Sequence, residues 1–506
     1  MAQQLQNITI NAPAFFGLNT QDSPINLDSS FASIADNCVI DKSGRIAARK
    51  GWDEVSTNGS NVLGSSRGIE TIFEFVKRDG TKIVFSAGNN KIFTGTTTLA
   101  EVTLPVGYSI TANNWKIVSF NNDIYFFQRG HAALVSVAGS TTLVKVVDGS
   151  HYAPEANEVL AAYGRLWATD VTGNKHTVYW SDTLDGDDWH GGTAGSLDVT
   201  TVFPTGFDEI TALAAHNGFL IIFGRKSILV YSGASSPASM TLTDTIEGVG
   251  CIERDSVQHT GTDLIFLSDS GVRSFGRTIQ EKSMPMRDIS RNVRNDLLAL
   301  VSQQTDPIKS VYSADEAFYL LTLPNNSIVY CFDMRAPLQD GSHRATTWSA
   351  LNPLALTVLD DGTIYIGKDS GIVKYNGYKD GTAEYQMRYF SHFLDFGNAS
   401  NLKFLKKFEL TIVGGKDTAT TLNWAYDYSS GYSKQSFTFG ASSIAEYGTS
   451  EYNTSAEYSA SILINRPKVN TSGSGEVITT GIEAQISGSA FSIQKIDIHA
   501  LMGRLI

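Results

Sequence analysis

The chain has 506 residues, of which 42% are hydrophobic and only 18% are charged. That much apolar sequence can bury a large core, so the composition excludes a wholly disordered chain. The formal net charge of −12 argues against a protein that binds nucleic acid tightly by neutralising its phosphates. Three distant cysteines without a CxxC spacing, Cys38, Cys251 and Cys331, predict buried free thiols rather than disulfides or a zinc site.

The N-terminal region has neither a basic segment nor an apolar segment of the kind found in secretory signals. No apolar run approaches the ~20 residues that a membrane-spanning helix needs. The sequence therefore predicts synthesis in a cytoplasm, with no export by this route and no membrane-spanning segment. Residues 1–51 are predicted to form an extended arm, with one short helical patch where Phe31, Ile34, Ala35 and Cys38 follow helical spacing.

Residues 52–380 contain seven short hairpin patterns, each with a polar turn between two runs of aromatic and β-branched residues. Asn-Gly and Asp-Gly turns are strong hairpin signals because a type I′ turn needs positive φ at both central residues. Successive turns are 42 to 54 residues apart, a period typical of propeller blades. The turns are centred at Asp79, Asn121, Tyr163, Asn217, Gly261, Asp315 and Asp361.

We therefore predict an all-β protein with a β-propeller of six or seven blades over residues 52–380. An array of β-sandwiches with accidental spacing is the alternative. Apolar residues four apart between Asp288 and Gln303 predict a helical insertion near 288–303, with Asp288 as its N-cap. Longer alternating runs after Gly381 predict a separate β-sandwich-like domain over 381–506, whose Tyr447, Tyr452 and Tyr458 either cover a sheet or contact a partner.

Motifs for catalysis are absent from the sequence: it has no G-x-S-x-G, H-E-x-x-H or P-loop pattern. The nine histidines are scattered, and the acidic stretch Asp182–Asp188 lacks a glycine and a terminal glutamate at the positions that an EF-hand calcium loop requires. Residue 183 is threonine where the Asp-box of sialidase propellers requires aspartate. We therefore expect no enzyme activity, no metal and no cofactor, with a glycan-binding or glycan-cleaving propeller as the alternative.

Several short motifs resemble the tail nozzle proteins of short-tailed bacteriophages, also known as tail tubular protein B, tail-hub or stabilisation proteins. The opening stretches Gly17–Pro24, Ala35–Asp41 and Gly44–Trp52 are similar to the order of motifs with which that family begins. Later matches are found at Val178–Asp182, Gly248–Val257, Ile265–Val272 and Leu394–Gly397. The resemblance covers nearly the whole chain, through short motifs of low individual specificity.

The resemblance implies a structural virion protein, made in the host cytoplasm, that forms the distal tail tube below the portal and adaptor. It implies a six-fold ring of the chain, a conduit for DNA ejection without sequence-specific binding, and attachment surfaces for fibre, spike or needle proteins. A closed ring needs a heterologous interface. An acidic lumen would let DNA pass without sticking, and the negative net charge is compatible with that hypothesis.

The residues predicted to matter are structural and lie in the arm. Gly17, Gly44 and Gly51 are expected in turns that exclude a side chain, and Pro24 is expected to fix an extended entry. Asn37 is expected to end the short helix. Arg45 and Arg49 are expected to bind carbonyls or carboxylates of the same chain or a neighbour. The adjoining turn residues Leu18 and Asn19 complete this set.

Overall fold

The computed structural model describes residues 5–25, 27–64, 68–203, 206–281, 288–398, 400–439 and 464–505. The chain forms two compact units. The terminal unit comprises residues 1–53, 328–351 and 375–506, and the propeller unit comprises residues 54–327 and 352–374. The predicted aromatic loop at Tyr447, Tyr452 and Tyr458 lies outside the described residues.

The described secondary structure is mostly short strands. The N-terminal strands are β1 (Leu5–Asn11), β2 (Gly17–Leu18), β3 (Phe31–Asp36), β4 (Cys38–Ile40), β5 (Ile46–Ala48) and β6 (Trp52–Glu54). The next are β7 (Ile69–Val76), β8 (Lys82–Gly88), β9 (Lys91–Thr94), β10 (Ala100–Glu101), β11 (Lys116–Phe120), β12 (Asp123–Gln128), β13 (His131–Ser136), β14 (Val144–Lys145), β15 (Val147–Asp148), β16 (His151–Tyr152), β17 (Ala156–Ala162), β18 (Arg165–Val171), β19 (Thr177–Trp180) and β20 (Gly195–Asp198).

The middle and last strands follow the same alternation of strand and turn. The middle strands are β21 (Ile210–His216), β22 (Phe219–Gly224), β23 (Ser227–Ser232), β24 (Thr241–Glu247), β25 (Gln258–His259), β26 (Leu264–Ser268), β27 (Gly271–Ser274), β28 (Lys309–Ser313), β29 (Phe318–Leu323), β30 (Ile328–Asp333), β31 (Arg344–Ser349), β32 (Ala355–Val358), β33 (Ile364–Lys368) and β34 (Gly371–Tyr375). The last are β35 (Tyr385–Ser391), β36 (Asn401–Gly414), β37 (Ala419–Tyr426), β38 (Ser433–Thr438), β39 (Ile464–Asn465), β40 (Lys468–Asn470), β41 (Ser474–Gly475), β42 (Ile478–Ile486) and β43 (Phe491–Leu505).

Three short α-helices accompany these strands: α1 (Gly59–Leu63), α2 (Phe275–Glu281) and α3 (Arg294–Val301). The helical insertion predicted near 288–303 is thus confirmed for Arg294–Val301, after a 3-10 turn over Arg291–Val293. The predicted capping role of Asp288 is wrong. Its buried carboxylate instead pairs with the guanidinium of Arg294, because a charge removed from water needs a countercharge.

All seven predicted hairpins are present, joining β7 to β8, β11 to β12, β17 to β18, β21 to β22, β25 to β26, β28 to β29 and β32 to β33. The turn chemistry accounts for their accuracy. Asn217 and Gly218 have φ values of 48° and 82°, as a type I′ turn requires. Asn121 and Asn122, at 48° and 71°, use the tolerance of asparagine for the same region.

The propeller unit has six blade sheets, which confirms the predicted β-propeller. In chain order they are β7–β10, β11–β14, β17–β20, β21–β24, β25–β27 and β32–β34. The seventh predicted hairpin, β28–β29, lies between the fifth and sixth blades, where β28 contacts both β25 and β32. The start of the unit closes the ring: the backbone amides of Val55 and Ser56 donate to the carbonyl of Ile372 in the last blade.

The propeller core consists of apolar layers between neighbouring blades. Phe85 of the first blade meets Phe126 of the second edge to face, with ring centroids 5.4 Å apart. Phe223 and Phe266 make the equivalent contact between the fourth and fifth blades at 5.1 Å. Each blade is buried on both faces, which is why the sequence repeats short runs of apolar residues rather than strict alternation.

The terminal unit contains two β-sheets that pack face to face, as expected for a β-sandwich-like domain. One sheet is built on the long pair β36 and β43, with β1, β4, β5 and β39–β41 beside them. The other contains β30, β31, β2, β3, β35, β42, β37 and β38. Phe408 of β36 and Trp424 of β37 meet between the sheets, with ring centroids 6.5 Å apart.

Three sequence predictions differ from this arrangement. Residues 5–53 do not form an extended arm, because β1 pairs with β43, β3 pairs with β35 and β5 pairs with β43. The predicted helical patch is also wrong: Phe31–Asp36 is a strand, and its long-range pairing overrides the weak local helical spacing. Residues 328–351 belong to the terminal unit rather than to the predicted propeller range 52–380.

Candidate functional site

The motif residues Asn37 and Arg49 meet in a buried group of side chains that we call the Arg49 node (Asn37, Arg49, Asp380 and Tyr385). Arg49 is fully buried. Its guanidinium binds Asp380 through two hydrogen bonds of 2.8 and 2.7 Å and lies over the ring of Tyr385, 4.1 Å from the centroid. The node thus ties the segment after β5 to the segment before β35.

Asn37 supplies the remaining polar contacts of the Arg49 node. Its side-chain oxygen accepts a 2.8 Å hydrogen bond from Nε of Arg49, and its amide donates to the carbonyl of Gln386 at 2.8 Å. Its φ of 54° places it between β3 and β4 rather than at the end of a helix, so that part of the prediction is wrong. Asparagine suits this position because it tolerates positive φ and its side chain can bond locally.

The motif glycines are required by close approaches within the terminal unit. A Cβ at Gly51 would lie well inside contact distance of the carbonyl oxygen of Lys379, and one at Gly17 would clash with that of Ala345. Gly17 and Gly44 have φ values of 78° and 73°. The prediction that these glycines exclude a side chain is therefore confirmed.

The other motif residues have more local roles. Leu18 is buried, and the side-chain oxygen of Asn19 accepts hydrogen bonds from the amides of Gln21 and Asp22. Arg45 binds Asp41 of its own turn, with Nε and Oδ2 3.2 Å apart, as predicted. Pro24 is exposed in a turn, so the predicted extended entry is wrong.

The second candidate site is a group of charged side chains at the centre of the propeller unit. This axial cluster consists of Lys116, Glu158, Arg254, Asp255 and Lys309, which lie on or just before the inner strands of four different hairpins. Lys309 Nζ lies 2.7 Å from Oδ2 of Asp255, and Lys116 Nζ lies 3.2 Å from Oε2 of Glu158 and 3.6 Å from Oδ1 of Asp255.

Arg254 links the axial cluster to neighbouring strands. Its Nε lies 3.4 Å from Oδ2 of Asp255. Its terminal nitrogens donate to the backbone carbonyls of Asn157 and Asn114, the latter at 2.6 Å. One arginine therefore crosslinks three separate elements, and charge-assisted hydrogen bonds of this kind are among the stronger polar contacts in proteins.

Burial and neighbouring charges shift several pKa values in and beside the cluster. Burial opposes the ionisation of Asp255, but the attraction of Arg254, Lys309 and Lys116 outweighs it and holds the pKa of Asp255 below its usual range. Burial raises the pKa of Glu158 and lowers that of Lys309. Burial, with repulsion from Asp255, raises the pKa of Glu253 to about 7.

The axial cluster lines a small space among the inner strands of the propeller. This space has a volume of about 140 Å³, which is room for a few water molecules only. A larger cavity of about 570 Å³ lies beside it, lined by polar residues such as Asn114, Arg225 and Glu253 and by apolar residues of α3. The charges of the axial cluster thus pair across a narrow space between the inner strands.

The acidic stretch Asp182–Asp188 is a surface loop whose carboxylates bind backbone amides. Asp182 accepts from the amide of Thr193, Asp185 from that of Asp187, and Asp188 from those of His190 and Gly191. Within the described ranges, no group of three His, Cys, Asp or Glu side chains is placed to hold a metal ion. The three cysteines are buried and free, as predicted.

Sequence reasoning missed the axial cluster. Lys116 opens the inner strand β11, Glu158 lies near the start of the inner strand β17, and Glu253-Arg254-Asp255 precedes β25. A charged residue at the same place in several repeats is a signal for an axial position, because inner strands of a propeller converge on its axis.

Comparisons with known proteins return propellers among solved structures. The chain is similar to YCF48 from Cyanidioschyzon merolae (13% identity, TM-score 0.39, covering 64% of this chain and 99% of that one) and to the WD40 propeller domain of Doa1 (9%, 0.37, 64% and 96%). It is also similar to the extracellular domain of BT4673 from B. thetaiotaomicron (12%, 0.39, 65% of this chain), of which it spans 40%. No protein-family model and no curated protein matches.

None of the helices in the described part of the chain is both long and apolar enough to cross a membrane.

Proposed function

We propose that this chain is a structural protein of a short-tailed phage virion, a tail nozzle or hub that assembles as a six-fold ring around the path of the ejected DNA. The proposal rests on the resemblance of its N-terminal motifs to that family. It includes no catalytic step, and it places adaptor or portal-side proteins at one end of the ring and fibre, spike or needle proteins on its outer surfaces.

The observation that carries this proposal is the Arg49 node. The motif residues that resemble the family, Asn37, Arg49 and Gly51, are buried and bind one another or residues 375–391. Such residues hold a fold together rather than contact a small substrate. A role in architecture is therefore the simplest physical account of the motif.

The axial cluster supports a conduit between subunits rather than through each propeller. The space beside the Lys309–Asp255 pair, at about 140 Å³, is too small for nucleic acid. The propeller unit has 32 acidic and 22 basic residues, so it carries −10 of the net charge of −12. In a ring, propeller surfaces facing the axis would repel phosphate and limit adhesion of DNA.

Electron microscopy of particles that contain this chain tests the proposal. We expect a six-fold ring around an open axial channel at the tip of a short tail, with density for the chain fitting one subunit of the ring. A particle that retains its tail ring when the gene for this chain is deleted, or a chain with no place in any particle, would refute the proposal.

The 570 Å³ cavity favours one second candidate, a propeller that binds a polar ligand such as a glycan. Asn114, Arg225 and Glu253 offer hydrogen-bonding groups to its interior, and Glu253 has a pKa of about 7, which is suitable for proton transfer near neutral pH. A glycan array followed by a turnover assay on any glycan bound would test this candidate. Binding lost in Arg225→Ala would favour it over the virion role.

A further inference from the structure

Several strands of the terminal unit lie at sheet edges, and they differ in how they are protected. An edge exposes unpaired N–H and C=O groups, which proteins usually shield by shortness, charge, proline or a bulge. β4, β39, β40 and β41 have only two or three residues each. β1 and β38 are longer, with seven and six residues.

β1 has none of these protective features. Among the described residues it pairs with β43 alone, so its other edge is open. Its sequence, Leu-Gln-Asn-Ile-Thr-Ile-Asn, contains no charge and no proline, and its register with β43 runs without a break from Leu5 to Asn11. A long, uncharged, regular edge is a ready template for another strand.

A groove of about 620 Å³, lined by both polar and apolar residues, lies against the first half of β1. Leu5 and Ile25 at its rim leave 55% and 57% of their surfaces exposed. Asp395 is the one charged residue in the lining that the structure describes. The lining consists of Leu5–Ile8, Ile25, Leu27, Ser29 and Phe393–Gly397. The groove therefore offers an occupant polar groups, a few apolar side chains such as Leu5 and Ile25, and a single negative charge.

β38 is the second long open edge, and its single charge is opposite in sign to the charge beside β1. Within the described residues it pairs only with β37, and most of its side chains are exposed. Lys434 is its one charged residue, and no ion pair to Lys434 occurs in the described part of the chain. The two long open edges thus carry single charges of opposite sign, Lys434 on β38 and Asp395 beside β1.

We infer that β38 of one copy of this chain adds to the open edge of β1 of the next copy, with Lys434 approaching Asp395. This inference rests on the proposed function, because a closed ring needs two different surfaces on each subunit. Main-chain hydrogen bonds provide the affinity in such strand addition, and side-chain contacts fix its specificity. The single charge pair would select the register.

A charge exchange in the full-length chain tests this contact. Lys434→Glu and Asp395→Lys should each weaken association about tenfold, since each places like charges together. The double variant should restore it, measured as the concentration at which rings form by mass photometry. Lys416→Glu, the same charge change at an exposed loop position of the same unit, is the matched control and should leave ring formation unchanged.

The outcomes separate the contact from the proposed ring. Wild-type rings that neither single variant weakens would overturn strand addition but leave the ring intact. If the wild-type chain forms no ring in solution, we would cross-link an Asn7→Cys, Gln435→Cys double variant at high concentration with a short bismaleimide. Chains of linked copies support the inference, whereas dimers identical to those of Asn7→Cys alone, or monomers only, overturn it. Particles without a ring of this chain would refute the proposed function itself.

Discussion

The two units each bury a charged group, and they stabilise it in different ways. In the Arg49 node a single arginine, fully buried, faces one carboxylate and one aromatic ring. In the axial cluster, three cations share Glu158 and Asp255, and Lys116 keeps 27% of its side chain exposed. The comparison shows that a closed sandwich core needs a strictly paired charge, while the partly exposed space between the inner strands of a propeller tolerates a shared network.

The strongest test of this difference is Arg49→Ala. It leaves Asp380 without its partner and removes the cation from Tyr385, so we expect the terminal unit to lose about 3–5 kcal/mol. Hydrogen-exchange mass spectrometry should show faster exchange in β3, β5 and β35, with the propeller strands unchanged. Arg45→Ala, which removes an arginine with a 17% exposed side chain from its local pair with Asp41, is the control and should cost at most about 1 kcal/mol. Equal losses of stability in the two variants would contradict the inference that Arg49 is the more important of the two arginines for the terminal unit.

The sequence could predict the local part of this architecture but not its long-range part. The seven hairpins follow from turn residues such as Asn217 and Gly218, whose conformational preferences act over a few residues. The arm prediction failed because β3 pairs with Tyr389 and neighbours more than three hundred positions later. The axial cluster was missed for the same reason, since Lys309 and Asn114 are 195 residues apart and converge only once the ring closes.

The motif residues lie between these two cases, because the sequence predicts the residues themselves but not their partners. Asn37, Arg49 and Gly51 could be named from the sequence as structural residues, although no local pattern points to Asp380 and Tyr385 as the partners of Arg49. A single buried arginine is visible in a motif, but its countercharge is fixed by the tertiary fold.

Asp255→Ala is the corresponding change in the axial cluster, and we expect a smaller effect. It leaves Lys116, Arg254 and Lys309 facing Glu158 alone. The remaining hydrogen bonds of Arg254 and Lys309 to Asn157 and Asn114, and the small space beside them that can hold water, should limit the loss of stability to about 2–4 kcal/mol. Exchange should accelerate in β11, β17 and β28 of the propeller unit. Asp269→Ala, an exposed carboxylate in the turn before β27, is the control. A loss as large as that of Arg49→Ala would show that the network is as tightly coupled as a single buried pair.

Glu253→Gln gives the smallest expected effect, and its sign depends on pH. Since the folded chain raises the pKa of Glu253 from 4.5 to about 7, the folded state binds this proton more tightly than the unfolded state does. Stability therefore falls as the pH rises between these two values, and the cost of the buried charge is fully present above pH 7. Glutamine cannot ionise, so the variant should be more stable than wild type by about 1–3 kcal/mol at pH 8 and similar to it at pH 4. Urea unfolding of both chains across this range checks the prediction. A difference in unfolding free energy that stays constant at all pH values would mean that Glu253 is as well solvated in the folded chain as in the unfolded one. The pKa of this carboxylate, beside the axial cluster, would then be no more shifted than that of a carboxylate on the surface of the terminal unit.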